Sequence, residues 1–156
     1  KTGVRTFEAA AYLRRLGADT IEVRQLFAST IDSYQRKSRI VSSAQIYRGC
    51  AVSICDFNSD DLRIVAPQAA DELLGISGVK ASFVLYEESG AVNISARSMG
   101  AVNVQIIMEK MGGGGHQTMA GAQIADADIN KVQQTLLEVI DEQHDIRENS
   151  MKEGVS

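Results

Sequence analysis

The residues of this chain best suited to gripping a phosphate are Arg97, Ser98, the glycine run that holds Gly113, Gly114 and Gly115, and His116. Glycine loses the most backbone entropy inside a helix or strand, so the unbroken run 112–115 reads as a junction between packed elements. Consecutive glycines let successive N–H groups turn to one side. That makes a concave nest for an anion and lets a ligand approach bare backbone. His116 closes the nest with a ring N–H donor or a cationic imidazolium. The bland alternative is a flexible spacer or a helix stop. Ala120, Gly121 and Ala122, just downstream, favour tight packing around the run, which a free linker does not need. Arg97 and Ser98 close a predicted strand upstream. If the intervening helix folds back along the sheet, an arginine fork, a hydroxyl, a nest and an imidazole converge, with Asn103 adding an amide. Such a set fits a phosphate or phosphodiester.

The elements that must position these groups follow from periodicity. Thr6 caps a helix running to Arg15, with Phe7, Ala10, Ala11 and Leu13 on its apolar face and Gly17 as its stop. Asp19 caps a second helix carrying Ile21, Val23, Leu26 and Phe27. Thr30 or Asp32 starts a third, with Ile31, Tyr34, Ile40, Val41 and Ala44 inward. Arg36, Lys37 and Arg39 project from it, as a solvated face or as a cluster for nucleic acid. Residues 45–56 alternate as one strand. The loop 56–61 holds Asp56, Asp60 and Asp61, but the spacing does not match a calcium loop, so turn and capping roles are expected. A helix is predicted over 65–74 with Pro67 in its first turn, and a hairpin of strands over 80–87 and 92–96 turns at Ser89-Gly90. A helix over 102–111, a short strand at 122–124 and a last helix carrying Ile129, Val132, Leu136, Leu137, Val139 and Ile140 complete the order. The expected fold is α/β, with a mixed sheet of about four to five strands flanked by helices and preceded by linker helices.

The chain has 156 residues, a net charge of −4, one proline and no tryptophan. The acidic balance argues against a charge-driven duplex binder, and the scarce aromatics argue against a stacking platform for long single strands. The two cysteines, Cys50 and Cys55, fall on opposite faces of a strand and read as reduced core residues. No apolar run approaches the roughly 20 residues of a membrane span, and no signal peptide is seen. The chain opens on Lys1-Thr2-Gly3 and reads as a piece of a longer protein.

The run 112–116 with Ala120-Gly121, preceded by Ile94-Ser95-Ala96-Arg97-Ser98, resembles the C-terminal substrate-binding domain of the DHH phosphoesterase family. That family includes single-strand exonucleases, oligoribonucleases and cyclic-di-AMP phosphodiesterases. The segment 5–19 is similar to the end of the catalytic DHH domain in the membrane-anchored GdpP type of cyclic-di-AMP phosphodiesterase. The resemblance implies residues 1–28 as the end of that domain and a linker and 29–142 as the DHH-associated nucleotide-binding domain; outside it, the polar and charged composition of 143–156 reads as a disordered tail.

It also implies a reaction. Two manganese ions held by the N-terminal DHH domain activate a water that attacks a phosphodiester, and cyclic di-AMP becomes linear pApA. On that pattern Arg97, Ser98, Gly113, Gly114, Gly115 and His116 bind the substrate. Partners implied are a cyclic dinucleotide or short oligonucleotide, the DHH domain of the same chain, and a second copy in a homodimer. The expected place is the cytoplasmic side of a bacterial membrane, with no membrane contact by this chain itself. His116 and His144 are the only histidines and no Asp-His-His occurs, so no metal and no hydrolysis are expected of this chain alone. The competing readings are the same domain of an oligoribonuclease, a tRNA-binding accessory domain, and a dimerisation module.

Overall fold

A computed structural model describes residues 4–21 and 30–153. The chain divides into two units, 1–34 and 35–156. In the first, helix α1 spans Val4–Arg15 and buries none of its residues, although Phe7, Tyr12 and Leu13 are among them. Asp19 accepts the Ile21 N–H at 2.8 Å, as a cap should. The rest of the helix expected to follow, with Val23, Leu26 and Phe27, lies outside the described residues. Helix α2, Ile31–Ser42, is capped by the Thr30 hydroxyl, which accepts from the Ser33 N–H at 3.2 Å. Of its expected inner set Ile40 is buried and Val41 packs beside the core, whereas Ile31 and Tyr34 are exposed.

The second unit is built on a sheet of β1 (Gln45–Tyr47), β2 (Cys50–Ile54), β3 (Ala81–Glu88), β4 (Ala91–Ser98), β5 (Gly114–His116) and β6 (Met119–Ala125). Their order is β1-β2-β3-β4-β6-β5. Among the described strands only β2 and β3 pair in parallel, joined through helix α3, Leu62–Leu73. Helix α4, Val104–Lys110, connects β4 to β5, and helix α5, Ile129–Glu153, closes the chain. Among the described residues the α/β class is as expected, with six strands rather than four or five. One extra strand comes from the stretch 45–56, which breaks into a hairpin where Arg48 and Gly49 take φ of 49° and 77°. The other comes from the glycine run itself. Helix α3 begins at Leu62, a turn earlier than expected, so Pro67 stands in its interior. The tail expected to be disordered continues as helix to Glu153.

Strand alternation sorts the core into two layers. Phe83, Leu85, Val92, Ile94 and Ala96 pack with Ile107, Met108 and Leu136 of α4 and α5. Ala51, Val84 and Tyr86 pack with Ile40, Val65 and Leu73 of α2 and α3. Buried serines on the second face are satisfied by helix carbonyls. Ser82 donates to Ala70 O at 2.6 Å and Ser53 to Ile40 O at 2.8 Å. Cys50 and Cys55 are both buried and free, one in each layer. The basic residues of α2 are spoken for: Arg36 pairs with Asp61 at 2.9 Å, Lys37 with Glu72 at 2.8 Å and Arg39 with Asp56 at 2.7 Å. These pairs pin α2 to the loop before α3 and to α3 itself, and they use the loop aspartates as structural anions.

Candidate functional site

The glycine run is two devices in sequence. Helix α4 ends in a Schellman motif: the Gly112 N–H donates to Glu109 O at 3.1 Å and the Gly113 N–H to Met108 O at 2.8 Å. Gly112 takes φ of 79°, which glycine adopts without strain. The chain then enters β5 and pairs antiparallel with β6. This corrects the expected open nest, because the cap consumes two of the N–H groups and the rest of the run is strand. At Gly113 a Cβ would collide with Gly121 O and lie 2.6 Å from Ala122 Cα. At Gly115, where φ is 146°, it would lie 2.5 Å from Ala120 Cα. The small residues 120–122 are therefore the other half of a tight strand contact. At Gly114 a Cβ meets nothing within 4 Å, so packing does not explain that glycine.

Register places the side chains. Ser82 pairs with Arg97, Arg97 with Met119, and Met119 with His116. Directly opposed residues share a face, so Arg97, Met119 and His116 form one row. The neighbouring row is Val84, Ser95, Gly121 and Gly114, and the next holds Tyr86, Asn93 and Gln123. Helix α3 covers this face over β3 and β4. Over β6 and β5 the face is open: Met119 is 54 % exposed, and His116 and Gln123 are exposed as well. The result is a strip of bare backbone at Gly121 and Gly114, bordered by Arg97 and His116 on one side and Asn93 and Gln123 on the other. Arg97 and His116 are two strand spacings apart, about 10 Å.

Local contacts hold the border in place. Arg97 Nε donates to Asp71 of α3 at 2.9 Å and its Nη1 to Ala96 O at 3.0 Å, with 12 % of the side chain left exposed to a ligand. Burial pushes the Tyr86 phenol up, and its hydrogen bond with Ser95 works the other way. Ser98 alternates to the opposite face and is buried. Its hydroxyl accepts from the Gly100 N–H at 2.9 Å, and its own N–H donates to Thr118 O at 3.0 Å. Ser98 thus shapes the turn after β4 and does not line the open strip. Asn103 is spent as the cap of α4, accepting from the Gln105 N–H at 3.1 Å. The structure therefore gathers Arg97, Gly114 and His116 on one face, gives Gly113 and Gly115 packing roles, and sets Ser98 apart. Asn93, Ser95, Met119, Gly121 and Gln123 join the face unannounced. Their signal was the polar alternation of Asn93, Ser95 and Arg97 in an otherwise apolar strand.

What this arrangement offers a ligand is a guanidinium, an imidazole, two amides and backbone without side chains. No group of three or more His, Cys, Asp or Glu side chains able to hold a metal exists among the described residues. None of the described helices is long and apolar enough to cross a membrane.

Comparison with known proteins bears on what the face is for. The DHHA1 domain model matches residues 48–143. The chain is 45 % identical over 143 residues to the cyclic-di-AMP phosphodiesterase PdeA of Listeria monocytogenes, covering 90 % of this chain and 22 % of that protein. It is also 45 % identical over 142 residues to the cyclic-di-AMP phosphodiesterase GdpP of Geobacillus thermodenitrificans, with the same coverage. The chain thus spans about a fifth of the length of these curated relatives. Among solved structures, an exopolyphosphatase-related protein from Bacteroides fragilis matches with a TM-score of 0.69 at 18 % identity, over 87 % of this chain and 43 % of that one. At that identity the likeness concerns the fold.

Proposed function

The chain belongs to the DHHA1 domain family, and from that premise we propose that it is the substrate-gripping part of a phosphodiesterase that hydrolyses cyclic di-AMP to the linear dinucleotide. One observation carries the proposal: Arg97 and His116 flank a strip of side-chain-free backbone where the sheet is exposed over β6 and β5. Arg97 offers fork hydrogen bonds and a permanent charge to a phosphodiester oxygen. The His116 ring N–H reaches a second polar atom from the other border. Gly121 and Gly114 let a sugar or base lie against the backbone. Asn93 and Gln123 present amides that donate and accept, as the edge of a purine requires. The names of the relatives supply the substrate, since both act on cyclic di-AMP.

Manganese belongs to the same proposal, held by the DHH part of the longer protein. The donor set of the described residues does not fit a metal centre, so the share proposed for this chain is to bind and orient. A tRNA-binding role fits poorly: the net charge is −4 and the cations of α2 are already paired. The test is substrate preference of a protein of the relatives' full length. Faster turnover of cyclic di-AMP than of short RNA is expected. Cleavage of short RNA alone would make this the domain of an oligoribonuclease.

A further inference from the structure

A cavity of about 440 Å³ opens on the opposite face of the same sheet. One wall is cationic. Arg48 stands in the β1–β2 turn, and Lys80 is tied to that turn by its N–H, which donates to Gly49 O at 2.7 Å. The facing wall is polar backbone and amide: Gly100 O accepts from Gln117 Nε2 at 3.4 Å, and Gln117 O accepts from the Val104 N–H at 3.1 Å. The floor is apolar, made by Cys50, Ile107 and Ile140, with Val102 at its edge. All these residues lie in the second unit.

The carboxylates of Asp141 and Asp145 offset Arg48 and leave Lys80 as the cation of that wall. Arg48 is tied to Asp141 and lies 3.1 Å from His144 and 3.9 Å from Asp145. Lys80 makes no ion pair among the described residues, so its ammonium is the uncompensated charge facing the cavity. A volume of this size suits a mononucleotide rather than a single ion. An apolar floor accepts a flat base, and a cationic wall accepts a phosphate. Burial pushes the Cys50 thiol up to about 11, so at neutral pH it serves as apolar floor and not as a nucleophile.

We propose that this cavity binds a nucleoside monophosphate, with the phosphate at Lys80 and the base over Cys50, Ile107 and Ile140. It is separate from the Arg97–His116 face: Cys50 belongs to the layer under α4 and α5, whereas Arg97, Met119 and His116 lie on the other side of the sheet. The inference stands independently of the phosphodiesterase reading.

The test is a titration of the 156-residue chain with AMP, adenosine and inorganic phosphate, read by backbone amide shifts. AMP should move the amides of Cys50, Lys80, Val102 and Gln143. Adenosine and phosphate alone should each bind at least about tenfold more weakly, since each engages one half of the cavity. Lys80→Gln should weaken AMP about tenfold, and Ala101→Trp, at the exposed rim, should block it by filling the mouth. Both substitutions are at the surface and should leave the melting temperature unchanged. Shifts confined to Met119, Gly121 and His116, or AMP affinity untouched by both rim variants, or no binding at about 10 mM, weaker than any useful site, would each overturn the proposal.

Discussion

Arg97 and His116 stand in one cross-strand row, joined through Met119, which pairs with both. They lie on strands that do not pair with each other, separated in the sheet by β6. The β5–β6 hairpin brings them to one face, and the glycines make that hairpin possible by letting β5 press against Ala120 and Gly121. The two side chains flank the bare strip rather than closing on a single atom. A ligand that engages both must therefore be extended, as a dinucleotide is.

Arg97→Ala should weaken nucleotide binding in the full-length protein by tenfold or more, the loss of a charge-assisted hydrogen bond of about 1.5–3 kcal/mol. Stability should fall by about 1–3 kcal/mol, because the Arg97 side chain is only 12 % exposed and gives up its bonds to Asp71 and Ala96 O. Arg97→Lys should recover part of the affinity, since it keeps the charge and loses the fork. Titration of the ligand against each variant, beside a thermal melt, checks both halves; unchanged affinity in Arg97→Ala would remove Arg97 from the site.

The glycines should separate into two classes. Gly113→Ala and Gly115→Ala should each cost about 1–3 kcal/mol or more, through overpacking against β6. Gly114→Ala should melt within about 1 kcal/mol of the unaltered chain, as a surface substitution into open space does. Gly114→Val should then lower ligand affinity without lowering stability, because its branches stand over the strip. Equal melting temperatures for all three alanine variants would contradict the packing described.

Acid should loosen the second unit. The Ser59 hydroxyl, then Arg36, hold the Asp61 carboxyl below its usual range. Tyr47, then Arg48, do the same for Asp141. A carboxylate depressed in the folded state contributes stability above its unfolded value, about 4. That contribution drains away as pH falls through 4 towards the lower folded value. Melting temperatures taken downward from about pH 6 should fall most steeply below about pH 4. Asp61→Asn should flatten the fall.

Neither cysteine should react in the folded chain. Both thiols are buried, and burial raises both, Cys50 to about 11. At about pH 8 an aromatic disulfide reagent should titrate both only after denaturant is added. Rapid labelling of Cys50 in the folded chain would mean that the cavity beside Lys80 opens far more than its floor suggests.

Much of this was legible in the sequence. The alternation of Val92, Ile94 and Ala96 marked β4, and the heavy apolar spacing from Ile129 to Ile140 marked α5. The hairpin at Ser89-Gly90 and the opposite faces of Cys50 and Cys55 followed from period and turn chemistry. The turn at Arg48-Gly49 was missed because arginine with a positive φ carries no composition signal. The glycine run misled in a specific way. Its residues suit an anion nest and a strand pressed against a small-residue partner equally well, and only the partner strand decides between them. Arg97 and His116 were picked by chemistry, but their shared row depends on a strand order, β4-β6-β5, that no local pattern encodes. Ser98, adjacent to Arg97 in sequence, was drawn into the site by proximity, and strand alternation sends it to the other face.

The most direct test of the central reading is cyclic-di-AMP hydrolysis with manganese by three proteins: this 156-residue chain, a protein of the relatives' full length, and that longer protein carrying His116→Ala. The expected result is turnover by the longer protein, strongly reduced by His116→Ala, and none by the chain alone. Turnover by the chain alone, or an undiminished rate in the His116→Ala protein, would contradict it.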